Sequence, residues 1–289
     1  MQQITVRVPA STSNLGPGFD CLGIALNIHN RLMLTLGGQG SSPLVNRAAQ
    51  LFFRRSAVKQ FSFTCSISDG VPRARGLGSS ATVRAGVLLA LNEMAGRPLD
   101  RLSIFHLCAE LEGHPDNAAP AIFGGFTVVR DGAVQRFDVS PQLSFVLLVP
   151  DLEVTTVAAR KILPARIALK EAVESCGNAC AITAALASRN YGALSGAFSD
   201  KFHQPFRRKL IPFLPRVIAA AEEAGALGAF LSGSGSTVAA VTLKSSKRIA
   251  AAMLAAAPSK GARIVVTKAD NRGAQFLNIR NPKFEIRNS

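Results

Sequence analysis

Four short stretches and two arginines carry the side chains that could do chemistry. The first is Pro72-Arg73-Ala74-Arg75-Gly76-Leu77-Gly78-Ser79-Ser80-Ala81, which runs into apolar residues at helical spacing (Val83, Val87, Leu88, Leu91, Met94). Two glycines let the backbone approach a ligand closely, and a helix start adds unsatisfied N–H groups and the positive end of its dipole. That combination suits an anion, a nucleotide phosphate above all. The stretch is neither Gly-x-x-x-x-Gly-Lys-Ser/Thr nor Gly-x-Gly-x-x-Gly. Ser79 and Ser80 supply hydroxyls that can reach phosphate or Mg²⁺. A plain strand-to-helix turn capped by serine would use the same residues.

The second stretch, Glu110-Leu111-Glu112-Gly113-His114-Pro115-Asp116-Asn117, gathers carboxylates and an imidazole at a helix-to-loop junction. Glu110 suits Mg²⁺, a hard cation that prefers oxygen. His106, Glu110 and His114 follow an i, i+4, i+8 spacing, but the glutamate-histidine pairing of zinc proteases is absent, so zinc is set aside. The third stretch is Ser11-Thr12-Ser13-Asn14-Leu15-Gly16-Pro17-Gly18-Phe19-Asp20, a tight loop that could equally be an Asn/Gly turn. Ser232-Gly233-Ser234-Gly235-Ser236 reads as a hairpin loop or a ligand loop. Arg160 and Arg207 could grip a carboxylate bidentately, or stand in solvent.

The elements that must position these residues follow from periodicity and breakers. Residues 3–9, 22–36 and 61–67 predict strands. A helix begins after the Gly-rich loop and stops at Gly96 and Pro98. Asp100 caps a second helix over 101–112. Residues 123–138 predict a hairpin turning at Asp131-Gly132. Beyond Pro141–Pro150 the predicted order is strand 144–149, helices at 157–162, 167–175, 178–188 and 212–224, strands near 227–231 and 237–242, helix 246–256 and strand 262–267. Without the helical insert this is the split βαβ, ferredoxin-like order. The expected domains are therefore 1–145 and 146–269, with a polar surface tail over 270–289.

The chain has 289 residues, 48% of them hydrophobic, enough for two domains with real cores. No apolar run is long enough to span a bilayer, and the N-terminus lacks the layout of a signal peptide, so a soluble cytoplasmic protein is expected. Five scattered cysteines complete no metal set and read as small buried hydrophobes in a reducing compartment. The net charge of +15 is dispersed, with Arg207-Arg208-Lys209 the densest cluster and no aromatic residues interleaved. It fits attraction of anionic small molecules such as ATP rather than nucleic acid.

In this order the motifs resemble those of the GHMP small-molecule kinases and, within them, the homoserine kinases. Asn14–Asp20 is similar to the family's N-terminal motif, Pro72–Ala81 to its ATP-phosphate loop and Ser232–Ser236 to its C-terminal Gly-rich loop. Glu110 to Phe126, Arg160-Lys161-Ile162-Leu163-Pro164, and Ser199-Asp200-Lys201 with Arg207 to Pro212 add to the resemblance, which runs from about residue 4 to 268. It implies an α+β fold, with a ribosomal-S5-like N-terminal domain and a ferredoxin-like C-terminal domain. It also implies ATP- and Mg²⁺-dependent phosphorylation of the side-chain hydroxyl of L-homoserine, a step of threonine biosynthesis.

By the same resemblance, Pro72, Arg73, Ala74, Arg75, Gly76, Leu77, Gly78, Ser79 and Ser80 would hold ATP, and Ser80 and Glu110 the metal. Asn14 would orient the acceptor hydroxyl, and Asp20, His114 and Asp116 would face the substrate's polar groups. Arg160 and Arg207 would bind its carboxylate, with Thr156 and Asn117 as secondary candidates. Asn14, Glu110 and Asp116 are the expected catalytic residues. No nucleic-acid or membrane partner is implied, and a homodimer is the assembly considered. The interval from Asp20 to Gly76 is short for the family, whose members carry a helix and adenine contacts there. Asn46 is the adenine candidate. Competing readings are another acceptor of the same family (mevalonate-type, sugar or diphosphocytidyl alcohol), an RNA-binding protein and an inactive relative.

Overall fold

The computed structural model describes residues 2–38, 42–257 and 261–280. In chain order the elements are β1 (Gln3–Ser13), β2 (Leu22–Leu36), α1 (Pro43–Ser56), β3 (Phe63–Ser68), α2 (Ser79–Met94), α3 (Arg101–Glu112), α4 (Ala118–Phe123), β4 (Phe126–Arg130), β5 (Ala133–Phe137) and β6 (Ser144–Val149). They continue as α5 (Thr156–Lys161), α6 (Leu169–Ala187), α7 (Gln204–Arg207), α8 (Leu214–Glu223), β7 (Gly228–Leu231), β8 (Val238–Thr242), α9 (Ser246–Ala255), β9 (Arg263–Thr267) and β10 (Gln275–Arg280).

The first domain is a sheet in the order β10-β1-β2-β4-β5, with β3 pairing the far end of β2. Ile4, Val6 and Val8 of β1 and Leu32 and Leu34 of β2 share one core cluster with the apolar faces of α1, α2, α3 and α4. The β1–β2 register shifts between Pro9 and Ala10. Beyond that irregularity β1 leaves the helical layer, and Ala10 packs with Leu22, Ile24 and Leu26 in a second cluster.

The second domain is a sheet in the order β7-β8-β6-β9, every pair antiparallel. Strands in sequence order thus take positions 2-3-1-4, the ferredoxin-like arrangement. The buried run of β6 and the faces of α8 and α9 close one side of it. Phe145, Leu147, Phe230 and Val241 point the other way, into the cluster shared with Ala10 and Phe126 of the first domain. That shared core fixes the two domains around the cleft between them.

Two expectations are corrected here. Residues 270–280 are not a surface tail. β10 pairs antiparallel with the outer edge of β1, and Asp270 is buried, its Oδ2 2.6 Å from His29 Nε2. An uncovered strand edge is a row of unpaired backbone groups, and β10 supplies its partner. The rest of the expected tail, 281–289, lies outside the described residues. The short interval before Gly76 holds a helix, α1, with Ser42 at its N-cap and Pro43 in its first turn. The cysteine reading also changes: Cys108 is buried, but Cys21, Cys176 and Cys180 are exposed, and all five are free. No helix among the described residues is long and apolar enough to cross a membrane.

Candidate active site

A cavity of about 300 Å³ opens where the two domains meet, and Ala74 through Ser80 form one wall. Gly76 and Gly78 adopt φ of +73° and +66°, the left-handed region where a side chain is strained. A Cβ on Gly76 would land on the Ser232 carbonyl oxygen, and one on Gly78 on Ser11 Oγ. The turn is held from both domains. Ser11 N–H donates to Leu77 O (3.2 Å), Thr237 N–H to Arg75 O (3.1 Å), and Ser232 Oγ to Gly76 O (2.7 Å). Gly78 caps α2, a helix of 16 residues whose first residues, Ser79 and Ser80, face the cavity. Its N-terminal N–H groups and dipole therefore point where an anion would sit.

Pro72 and Arg73 lie outside this cavity. Arg73 pairs with Asp69, and Pro72 and Arg73 border a separate surface hollow. The Arg75 guanidinium also turns away, donating to Pro150 O at 2.9 Å and pairing with Asp151 and Glu153 at 2.9 and 3.2 Å. Its charge ties the two domains together.

Glu110 is corrected as a metal ligand. It stands half-exposed on the outer face of α3, paired with Arg55 at 2.9 Å and Arg54 at 3.7 Å. Glu112 lines the cavity instead, its side chain 8% exposed. Ser80 Oγ donates to Glu112 Oε1 at 2.8 Å and Arg84 Nη1 to the same oxygen at 2.5 Å. The other carboxylate oxygen, Oε2, has no protein partner among the described residues. The zinc spacing is not gathered either: His106 contacts Gly132 O, and His114 contacts Asp116.

The opposite wall is polar and mixed in charge. His114 Nδ1 lies 2.6 Å from Asp116 Oδ1, and Asp116 is 2% exposed. Burial pulls His114 down, but the Asp116 hydrogen bond and charge, with Glu112, outweigh it and leave its pKa above the ordinary value. Burial pushes Asp116 up, yet its bond and charge interaction with His114, with Ser13 and Arg160, hold its carboxyl below the usual range. Asp20 joins them, so that one ligand atom from each of Asp20, His114 and Asp116 lies within 4.8 Å of the others. Arg160 grips Asp20 bidentately at 2.6 and 3.0 Å.

Asn14 is at φ +69° in a left-handed turn with Leu15 and Gly16. Its Nδ2 donates to Gly233 O (3.1 Å), and its Oδ1 accepts from Asp20 N–H (3.0 Å), so it spans the domain junction at the cavity wall. Asn117 serves the frame: its amide exchanges hydrogen bonds with Ser11 and Ser13 at the end of β1. Arg207 is 2% exposed at the cavity floor. Its Nη1 donates to Gly233 O (2.8 Å) and its Nε to Ala159 O (3.3 Å). Burial, then the Arg160 charge, bring it down to about 10, still cationic at neutral pH. Thr156, at the start of α5, lines the rim.

Sequence models of the GHMP kinases match both halves: the N-terminal domain over residues 43–125 and the C-terminal domain over 182–260. The chain belongs to the GHMP kinases. The homoserine kinase of Moorella thermoacetica is 38% identical over 280 residues, covering 90% of this chain and 95% of that protein. That of Caldicellulosiruptor bescii is 38% identical over 257 residues, covering 82% and 84%. Among solved structures, a homoserine kinase from Cytophaga hutchinsonii superposes with a TM-score of 0.86 at 28% identity over 95% of this chain and 97% of that one. A mevalonate kinase from Methanococcus jannaschii, 14% identical with a TM-score of 0.70 over 92% and 98%, shares the fold.

In this GHMP kinase a second pocket of about 470 Å³ adjoins the Ala74–Ser80 turn, lined by Ser42, Pro43, Leu44, Ile67, Arg73 and Val83 beside Ala74, Ser79 and Ser80. Asn46 does not line it; α1 contributes Pro43 and Leu44 from its first turn, beside Ser42. Three site residues escaped the sequence reading. Glu112 continues the buried face of α3 at the 3- and 4-residue spacing of Phe105 and Cys108, a signal that could have separated it from Glu110. Arg84 is visible as the one cation on α2, set among mostly apolar residues. His203 stands four residues before Arg207, but its other partners, Gly16 and Phe19, come from the distant first domain, and that contact leaves no mark in the sequence.

Proposed function

We propose that this kinase transfers the γ-phosphoryl group of ATP to the side-chain hydroxyl of L-homoserine with Mg²⁺. The observation that carries the reading is the pairing of two walls: a helix-N-terminal turn that suits phosphates, facing Arg207, Arg160 and the Asp20–His114–Asp116 group. The buried Arg207 suits an α-carboxylate and the acidic group an α-ammonium, so the wall is complementary to an amino acid. A neutral sugar would leave the cationic floor without a counter-charge. The names of the relatives agree.

Ala74–Ser80 would cradle the β- and γ-phosphates, and the pocket beside α1 would take the nucleoside. Ser80 and Glu112 fit a magnesium ion: both offer hard oxygens 2.8 Å apart at the phosphate end, and Glu112 Oε2 is unused. Bound there, Mg²⁺ would neutralise charge on the transferred phosphoryl group. The protein's own part is alignment, since phosphoryl transfer needs little covalent help. Asn14 orients the hydroxyl, and Arg207 anchors the far end. Asp116 is a weak base because His114 holds its pKa down. The hydroxyl proton therefore leaves late, to the phosphoryl oxygen. Loss of turnover in Asp116→Asn with unchanged homoserine affinity would contradict this.

The deciding experiment is ADP release with homoserine, mevalonate and galactose in parallel, each with and without Mg²⁺. Homoserine-dependent release is expected. Turnover on mevalonate or galactose alone would overturn the acceptor assignment, and ATP binding without turnover on any acceptor would point to an inactive relative.

A further inference from the structure

His203 is fully buried, and the chemistry above does not use it. Its two ring nitrogens face partners of opposite kinds, acceptors at Nε2 and a donor at Nδ1. Nε2 lies 2.8 Å from Gly16 O, which can only accept, so Nε2 carries the proton. Nδ1 lies 3.1 Å from Arg207 Nη1, which can only donate, so Nδ1 is bare. Together these contacts require a neutral ring in a single tautomer. Burial keeps it so, holding His203 down to about 4 despite nearby Asp200. Asp200 Oδ2 lies 3.4 Å from Nε2, a second acceptor on the side of the same proton, and its carboxylate also accepts the N–H groups of Phe202, His203 and Gln204 at 2.6, 3.0 and 2.7 Å.

The consequence for Arg207 is geometric. One Nη1 hydrogen goes to Gly233 O, the other to His203, and the Nε hydrogen to Ala159 O. The two Nη2 hydrogens have no protein partner among the described residues and remain for the cavity. The His203 ring also packs on Phe19, with centroids 5.3 Å apart. The Phe19 ring in turn carries both guanidinium groups, Arg160 and Arg207, each 5.4 Å from its centroid. Gly16 and Phe19 belong to the first domain's Asn14–Asp20 turn, whereas Arg207 belongs to the second domain. Phe19 meets Arg207 through its ring face, and His203 links the two through hydrogen bonds, to Gly16 O and to Arg207 Nη1.

We propose that His203 is a positioning residue for the acceptor: as an Nε2–H imidazole it ties the Asn14–Asp20 turn to Arg207 and aims the Nη2 edge of that guanidinium at the acceptor's carboxylate. The proposal rests on the reading of the acceptor as an amino acid. It separates acceptor alignment from ATP binding, because none of the contacts of His203 reaches the Ala74–Ser80 turn.

The test compares His203→Leu, which removes both hydrogen bonds, with His203→Asn, whose amide oxygen can stand in for Nδ1 toward Arg207. In His203→Leu the KM for homoserine is expected to rise about tenfold or more, with the KM for ATP within about twofold, on the scale of one lost hydrogen bond to a charged group. His203→Asn is expected to recover most of that loss. An unchanged homoserine KM, or equal rises in both KM values, would overturn the proposal, as would no recovery in a folded His203→Asn. The wild-type chain gives a check that survives a misfolded variant. ¹⁵N-histidine NMR should show one ring neutral and Nε2-protonated from about pH 5.5 to 8. An imidazolium or an Nδ1–H ring in every histidine would overturn the assignment. Absence of wild-type turnover on homoserine would sink the acceptor reading instead, and the spectrum would still decide the tautomer.

Discussion

Glu110 and Glu112 are two residues apart on α3, about 200° around the helix axis at roughly 100° per residue. One faces two arginines at the surface, and the other faces Ser80 in the cavity. Their roles should separate accordingly. Glu112→Gln is expected to lower kcat roughly 100-fold or more and to raise the Mg²⁺ concentration needed for half-maximal rate. Glu110→Gln should stay within about twofold of wild type, as a surface ion pair contributes only about 0–1 kcal/mol. Equal losses in the two variants would show that the metal is held elsewhere. The choice between these glutamates was within reach of the sequence, since Glu112 extends the Phe105–Cys108 face. The contacts of His203 were not, because Gly16 and Arg207 meet only in the folded chain. The His114–Asp116 pair adds a pH dependence with a definite sign. His114 binds its proton more tightly when folded, so its contribution is complete below about pH 6.5 and is lost as pH rises through its raised pKa. Asp116 is depressed, so its contribution is complete above about pH 3.9 and is lost as pH falls through its lowered pKa. Both are present from about pH 4 to 6.5. The melting-temperature gap between wild type and His114→Gln should therefore be widest near about pH 6 and narrow by about pH 8.5. A gap that widened with pH would refute the charged pair.

At the scale of elements, the strands and helices with clean periodicity were legible: β1, β2, α2, α3 and the β4–β5 hairpin each follow their breakers and caps. Two elements that shape the site were not. α1 begins at Ser42-Pro43, a proper helix start, and its buried residues Val45, Ala48, Ala49 and Phe52 lie at helical spacing. The shortness of the interval carries no information about these four positions; their spacing does. β10 was hidden for a physical reason. It is short, sits at a sheet edge, and owes its conformation to pairing with β1 rather than to burial on two faces. It holds the strand whose far end carries Ser13, and Asn14 just beyond it, to the cavity. Removing residues 275–289 should expose the β1 edge and lower the melting temperature by at least about 5 °C, at roughly 2–4 °C per kcal/mol for domains of this size. Light scattering should rise with concentration as bare edges pair. An unchanged melt would show that β10 is dispensable and that β1 is held by β2 and the helices alone.

For the molecule as a whole, the question is whether two domains behave as two. Each has its own cluster against its helices, but the third cluster belongs to both: Ala10, Leu22, Ile24 and Phe126 from one sheet meet Phe145, Leu147, Phe230 and Val241 from the other. The polar links at the cleft also cross between domains, through Asn14–Gly233, Gly16–His203, Gly76–Ser232 and Arg75–Asp151. Either domain unfolding alone would bare its half of the shared core and break these bonds while the other half stayed buried to no benefit. Calorimetry should accordingly show one transition, with an enthalpy near 200 kcal/mol for 289 residues at about 0.7 kcal/mol per residue. The ratio of van't Hoff to calorimetric enthalpy should be close to one. Phe145→Ala opens a cavity in the shared cluster and should cost about 3–5 kcal/mol, moving that single transition down without splitting it. Two resolved transitions in the wild type, or a split in Phe145→Ala that leaves one half at the original temperature, would mean that the domains are coupled only by the chain. The cleft geometry that sets phosphate turn against Arg207 would then have to be held by substrate rather than by the fold.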